Sequence, residues 1–169
     1  MKIKLTGDGD LERLVAIKTN APISRLVIDA NEGWTPEHYQ RFVPEFQKLG
    51  VEMIEQPFPA DNDSILKTLS RPIPVCADES CHDRDDLFRL AGLYDIVNIK
   101  LDKTGGLTEA LRLQAEAESK GFLTMAGCMS STSLGIAPAF MIAQRAKIVD
   151  LDAPLNLFED RTFPLNYEV

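Results

Sequence analysis

Short runs rich in β-branched and other apolar residues alternate along this chain with longer stretches whose apolar residues recur at helical spacing. The pattern predicts strands at Lys2–Leu5, Arg25–Asn31, Val51–Pro57, Pro74–Ser80, Asp95–Leu101, Leu123–Met129 and Val149–Pro154. Between them it predicts helices at Asp10–Lys18, Pro36–Leu49, Ser64–Leu69, Arg84–Gly92, Leu107–Lys120 and Leu134–Ala146. Thr35 before Pro36 reads as an N-cap with proline in the first helical turn, and Gly50 and Gly121 stand where helices should stop. Strands separated by helical crossovers run parallel. The predicted class is therefore α/β, a parallel (β/α)8 TIM-type barrel that is incomplete, with about seven strands present, since a full barrel takes about 250 residues. An open doubly wound sheet is the alternative. It lacks its glycine fingerprint here, because Gly105-Gly106 before Leu107 is an ordinary strand-to-helix turn and no G-x-G-x-x-G follows a strand.

Composition narrows the function classes. With 169 residues, no linker and no low-complexity tract, the expectation is one domain over 1–169. The 18 Lys and Arg against 26 Asp and Glu give a net charge of −8, which leaves no basic face for phosphates and argues against a nucleic-acid partner. The longest apolar stretch, around Leu134 to Ala143, is broken by Gly135 and Pro138, so no membrane span is expected. Met1-Lys2-Ile3-Lys4 at the start has no apolar h-region, so no secretory signal is expected. Three cysteines, Cys76, Cys81 and Cys128, lack metal-type spacing and fit a reducing, cytoplasmic setting.

Candidate chemistry comes from strand parity, because side chains alternate faces along a strand. The apolar faces leave Lys4, Asp29, Glu55, Asp78, Lys100 and Asp152 pointing the other way, each near the C-terminal end of its strand and spaced by whole strand–helix units. In a barrel that puts them at one mouth, where barrel enzymes keep their chemistry. An acid at a strand end often only caps the next helix, but Thr35, Asn62 or Asp63, and Asp83 are available for those caps. Inward acids in three successive units repel unless a cation neutralises them, and a set of hard oxygens without His or Cys favours Mg2+ over Zn2+. A lysine acting as a base must lose its proton, so its pKa has to fall by about 3 units from about 10.4. Lys2 and Lys103 also read as solvated surface lysines. His38 and His82 have no partners at ligand spacing. Ser130 to Ser133 after Cys128 and Met129 read as helix-capping residues, and Trp34 as packing or a substrate contact.

Here the sequence resembles the enolase superfamily, in its muconate-lactonising subgroup. The resemblance rests on Lys2-Ile3-Lys4, Asp29-Ala30-Asn31, Glu55-Gln56-Pro57, Ala77-Asp78-Glu79-Ser80 and Asn98-Ile99-Lys100 with Lys103-Thr104-Gly105-Gly106, in order over essentially the whole chain. It implies that Asp29, Glu55 and Asp78 ligate Mg2+. It also implies that Lys4 and Lys100 serve opposite faces of a carbon beside a carboxylate, through an enediolate. Lys2 then assists Lys4 at the substrate, and Asn31, Glu79 and Asn98 support the ligands. Asp150-Leu151-Asp152 resembles the dipeptide epimerases, where such a pair holds the free ammonium of the substrate. The implied activity is epimerisation of the C-terminal residue of a dipeptide such as L-Ala-D/L-Glu, an isomerase reaction on a small molecule. o-Succinylbenzoate synthase or a muconate-type cycloisomerase is the alternative within the subgroup.

Members of the superfamily carry an N-terminal capping domain and a first barrel strand ahead of the Lys-x-Lys motif, which here follows Met1 directly. The expectation is thus the C-terminal catalytic domain without its cap, either a piece of a longer product or a barrel completed by another chain in a homo-oligomer. The alternative of another class is an inert barrel remnant with a structural or oligomerising role.

Overall fold

The computed structural model describes residues 1–166. The chain forms two compact units, one from residues 1–80 and 90–95, the other from 81–89 and the residues from 96 onward.

The first unit carries β1 (Lys2–Lys4), α1 (Asp10–Asn20), β2 (Leu26–Asp29), α2 (Pro36–Lys48), β3 (Val51–Glu55), a 3-10 turn (Asp63–Lys67) and β4 (Val75–Ala77). Neighbouring strands pair in parallel and in chain order, with Lys4 opposite Asp29, Asp29 opposite Glu55, and Glu55 opposite Cys76. α2 forms as its sequence predicts. Tyr39, Phe42, Val43 and Phe46 fall on one face and are buried, the spacing of an amphipathic helix. Trp34 packs edge-on to Phe42 at 5.5 Å and Phe42 stacks on Phe46 at 5.5 Å, so an aromatic layer forms much of this unit's core. Trp34 is therefore a packing residue. The helix runs through Pro44, which forfeits one ladder bond.

α3 (Asp86–Leu90) leads the chain from segment 81–89 back to the first unit. The second unit then carries β5 (Ile96–Ile99), α4 (Leu101–Thr104), α5 (Leu107–Ser119), β6 (Leu123–Ala126), α6 (Ser133–Ile136), α7 (Ala139–Ala143), β7 (Ile148–Val149) and a 3-10 turn (Ala153–Asn156). β5, β6 and β7 pair in parallel, Ile99 against Ala126 and Ala126 against Val149. α5 buries Ala110, Leu113, Gln114 and Ala117, and the Gln114 amide donates to Ile142 O at 2.9 Å. Ile136, Ala139, Leu151 and Ala153 close a smaller apolar cluster with Leu101, Cys128 and Ala143.

Among the described residues, seven parallel strands alternate with helices, the α/β class that the sequence predicts and the architecture of an incomplete (β/α)8 barrel. Several boundaries differ. The helix expected at Leu134–Ala146 is two short helices, because Pro138 restarts the chain as the N-cap of α7. Ser64–Leu69 is a 3-10 turn, and Arg84–Gly92 shrinks to the five residues of α3. β5 ends at Ile99, since Lys100 is already the N-cap of α4, a helix the pattern did not predict. The last strand stops at Val149, because Pro154 stands in the first turn of the 3-10 segment that follows.

Candidate functional site

In the first unit the strand register gathers the chemistry. Asp29 and Glu55 are the last residues of β2 and β3, and Asp78 follows the end of β4 with the parity of Cys76. All three carboxylates are buried, Asp29 and Glu55 completely. Lys2 Nζ bridges two of them, 3.2 Å from Asp29 Oδ2 and 2.8 Å from Glu55 Oε2. This corrects the surface reading of Lys2, whose side chain is only 16% exposed. Lys4 Nζ lies 2.6 Å from Asp29 Oδ2 and donates to Asn31 Oδ1 at 2.8 Å, with its side chain mostly open to solvent. Asn31 takes a left-handed conformation, and its backbone N–H donates to Asp29 Oδ1 at 2.9 Å. Its side-chain amide donates to Glu79 Oε1 at 3.3 Å.

Electrostatics mark this cluster out. Burial pushes the Glu55 carboxyl up to about 7, the Lys2 ammonium opposes that rise, and the negative charges of Asp29 and Asp78 add to it. Burial and the charge of Asp78 also raise Glu79, whose buried Oε2 has no hydrogen-bond donor among the described residues. Lysine ammonium groups already stand where a cation relieves this repulsion. Among the described residues, no three His, Cys, Asp or Glu side chains converge at bonding distance of one point. The donor chemistry nevertheless fits a hard divalent ion, being oxygen-only, buried and short of positive charge.

The second unit holds the remaining candidates. Asn98 is fully buried in β5 and packs over Gly127, where any Cβ would collide with the Asn98 amide. Lys103 Nζ donates to Asn98 O at 2.9 Å, so Lys103 is tied down rather than solvated. Lys100 is half-buried, with Nζ 4.0 Å from Met129 Sδ. Asp150 and Asp152 lie beyond β7, so the strand parity expected at Val149–Pro154 does not govern them. Asp150 is half-buried, with its carbonyl accepting from Cys128 Sγ at 3.4 Å, and Asp152 is exposed as the N-cap of the 3-10 turn. Burial raises the Cys128 thiol. A cavity of about 300 Å3 opens beside these residues, lined by Leu101, Asp102, Gly106, Gly127, Cys128 and Ser131.

Sequence reasoning missed three residues. Gln56 ties strand ends together and is described further below. His38 completes the N-terminal box of α2, its ring nitrogen accepting from Thr35 N–H at 3.3 Å while its own N–H donates to Thr35 Oγ1. Asp63 does not cap a helix; it is buried and accepts from the Ser80 and Tyr94 hydroxyls. Only His38 carried a usable signal, its place three residues after Thr35.

Comparison with known proteins agrees with this geometry. An N-acetyl-D-glutamate racemase from Pseudoalteromonas sp is 46% identical over 167 residues, covering 99% of this chain and 53% of the racemase. An L-Ala-D/L-Glu epimerase from Escherichia coli (strain K12) is 48% identical over 160 residues, covering 95% of this chain and 50% of the epimerase. The chain thus spans about half the length of these curated relatives. Among solved structures, an enolase family member from Agrobacterium tumefaciens with homology to dipeptide epimerases, holding sodium and L-Ala-L-Glu, matches with a TM-score of 0.95 and 50% identity. That match covers 99% of this chain and 51% of the other. Residues 1–164 match the family described as enolase C-terminal domain-like, and the chain belongs to that family.

Proposed function

We propose that this chain is the catalytic domain of a Mg2+-dependent epimerase that inverts the α-carbon of the C-terminal residue of a dipeptide such as L-Ala-D/L-Glu. The observation that carries the reading is the row of buried carboxylates at adjacent parallel strand ends with lysines lodged among them. The names of relatives at 46% and 48% identity support it.

Asp29, Glu55 and Asp78 would hold the ion, with Asn31 fixing Asp29 and pairing with Glu79. When bound, Mg2+ supplies a Lewis acid that stabilises the charge gained by the substrate carboxylate. The protein's own groups carry the rest. Lys4 Nζ removes the α-proton of one epimer or returns it to the other, and Lys100 Nζ does the converse on the opposite face, so each turnover inverts the centre. Lys2, cationic beside Asp29 and Glu55, favours the anionic carboxylate of the substrate and the neutral form of Lys4. Asp150 and Asp152 accept the free ammonium of a dipeptide.

A second reading is favoured by one relative, the N-acetyl-D-glutamate racemase. Both it and an Ala-Glu epimerase act on a glutamate whose nitrogen is acylated, and only the dipeptide carries an ammonium. The readings therefore separate at Asp150 and Asp152.

Proton NMR in D2O with Mg2+ tests both readings, following the glutamate α-proton of L-Ala-L-Glu and of N-acetyl-D-glutamate. The expected result is Mg2+-dependent exchange with inversion for the dipeptide, lost in Lys4→Ala and in Lys100→Ala. Exchange of N-acetyl-D-glutamate alone selects the second reading. No exchange with Mg2+ still bound by calorimetry points to another substrate or to the need for a cap, and neither exchange nor Mg2+ binding rejects both readings in favour of an inert remnant.

A further inference from the structure

Gln56 follows Glu55 directly and adopts a left-handed backbone, φ 34°, that L-residues other than Asn and Asp seldom take. Every polar group of this residue is used to join strand ends. Its backbone N–H donates to Cys76 O at 2.9 Å, and its carbonyl accepts from Glu32 N–H at 2.8 Å. Its side-chain Oε1 accepts from the backbone N–H of Asp78 at 2.9 Å and of Ser80 at 3.2 Å. Its Nε2 lies 2.8 Å from Phe58 O, 2.8 Å from Ser80 Oγ and 3.0 Å from Tyr94 Oη. One residue therefore links the chain just beyond β2, β3 and β4, where Asp29, Glu55 and Asp78 stand.

The direction of the amide is set from behind. Ser80 Oγ donates to Asp63 Oδ2 at 2.7 Å and Tyr94 Oη donates to the same oxygen at 3.1 Å. A hydroxyl has one proton, so with both protons committed to the Asp63 carboxylate, each oxygen presents only lone pairs to Gln56. Nε2 must then face the hydroxyls and Oε1 must face the Asp78 and Ser80 amides. Gln56, Asp63, Ser80 and Tyr94 are each at most 3% exposed, so water does not offer the amide another partner.

We infer that Gln56 is a positioning residue for the cation site, holding the three carboxylates at their mutual spacing, and that Asp63 acts on that site through Ser80, Tyr94 and the Gln56 amide. The inference rests on the reading of Asp29, Glu55 and Asp78 as cation ligands. It assigns a role to a buried carboxylate that touches neither substrate nor ion.

Mn2+ affinity, read by electron paramagnetic resonance on the purified chain, provides the test. Mn2+ is chosen because it accepts the same oxygen ligands as Mg2+. Gln56→Leu is expected to weaken Mn2+ binding at least tenfold, and Asp63→Asn several-fold. The double variant should bind as weakly as Gln56→Leu alone, because Asp63 acts only through the amide. Phe46→Leu, a core change away from this network, should lower thermal stability and leave Mn2+ affinity unchanged. If Gln56→Leu does not fold, Asp63→Asn against Phe46→Leu carries the comparison alone. Wild-type affinity in both network variants overturns the inference while leaving the cation reading intact, as does an additive double variant. Absence of Mn2+ binding by the wild-type chain overturns both.

Discussion

Asp10 is a fully buried carboxylate at the start of α1, and four donors converge on it. Thr6 N–H at 3.1 Å and Gly7 N–H at 2.6 Å come from the turn before the helix, Arg13 Nη1 at 2.7 Å from its first turn, and Trp34 Nε1 at 3.0 Å from the core. Asp10→Ala leaves the Gly7 amide and the Trp34 indole N–H buried without an acceptor. Its expected cost is about 3 kcal/mol, read as a lower urea midpoint with an unchanged slope. Nothing in the local sequence announces this, because the indole and the carboxylate are separated by 24 positions. Lys2 shows the same limit. Parity placed Asp29, Glu55 and Lys4 correctly on one face, since alternation is a property of the strand itself. Whether Lys2 lies in solvent or between two carboxylates depends on the neighbouring strands, which no local pattern contains.

At the scale of elements, what was legible depended on how much of an element is decided by its own residues. α2 carries its full signature in sequence: Thr35 as cap, Pro36 in the first turn, and an apolar face of Tyr39, Phe42, Val43 and Phe46. Thr35→Ala removes the acceptor of the His38 N–H and is expected to cost about 1 kcal/mol, measured by chemical denaturation. β7 carried little signature. Two paired residues precede a turn whose proline ends the ladder, and the alternation of Asp150, Leu151 and Asp152 imitated a continuing strand. The break between α6 and α7 was signalled by Pro138, which the helical periodicity of the flanking apolar residues overrode. α4 gave no warning, because a four-residue helix is shorter than any periodic pattern can resolve.

Over the whole molecule, the excess of acids includes the buried row of Asp29, Glu55 and Asp78. A ligand that binds only the folded chain stabilises it by RT ln(1 + [L]/Kd), about 2.7 kcal/mol at a hundredfold excess over Kd. Thermal melts in rising Mg2+, with ionic strength held constant by NaCl, should therefore shift upward. Asp78→Ala should abolish the shift, and EDTA should reverse it in the wild-type chain.

The chain leaves the first unit after Ser80, returns to it for residues 90–95 and leaves again. That brief return supplies Tyr94, which donates to Asp63, and Asp95, whose carboxylate accepts the Val75 N–H at 2.9 Å while its own N–H donates to Val75 O at 2.9 Å. Anyone dividing the gene into two co-expressed fragments therefore faces an asymmetric choice of cut. A break after Ser80 puts these residues on the wrong polypeptide and deprives the first fragment of an edge pairing and a buried hydroxyl. A break after Asp95 keeps the row of carboxylates and every group that orients it on one translation product.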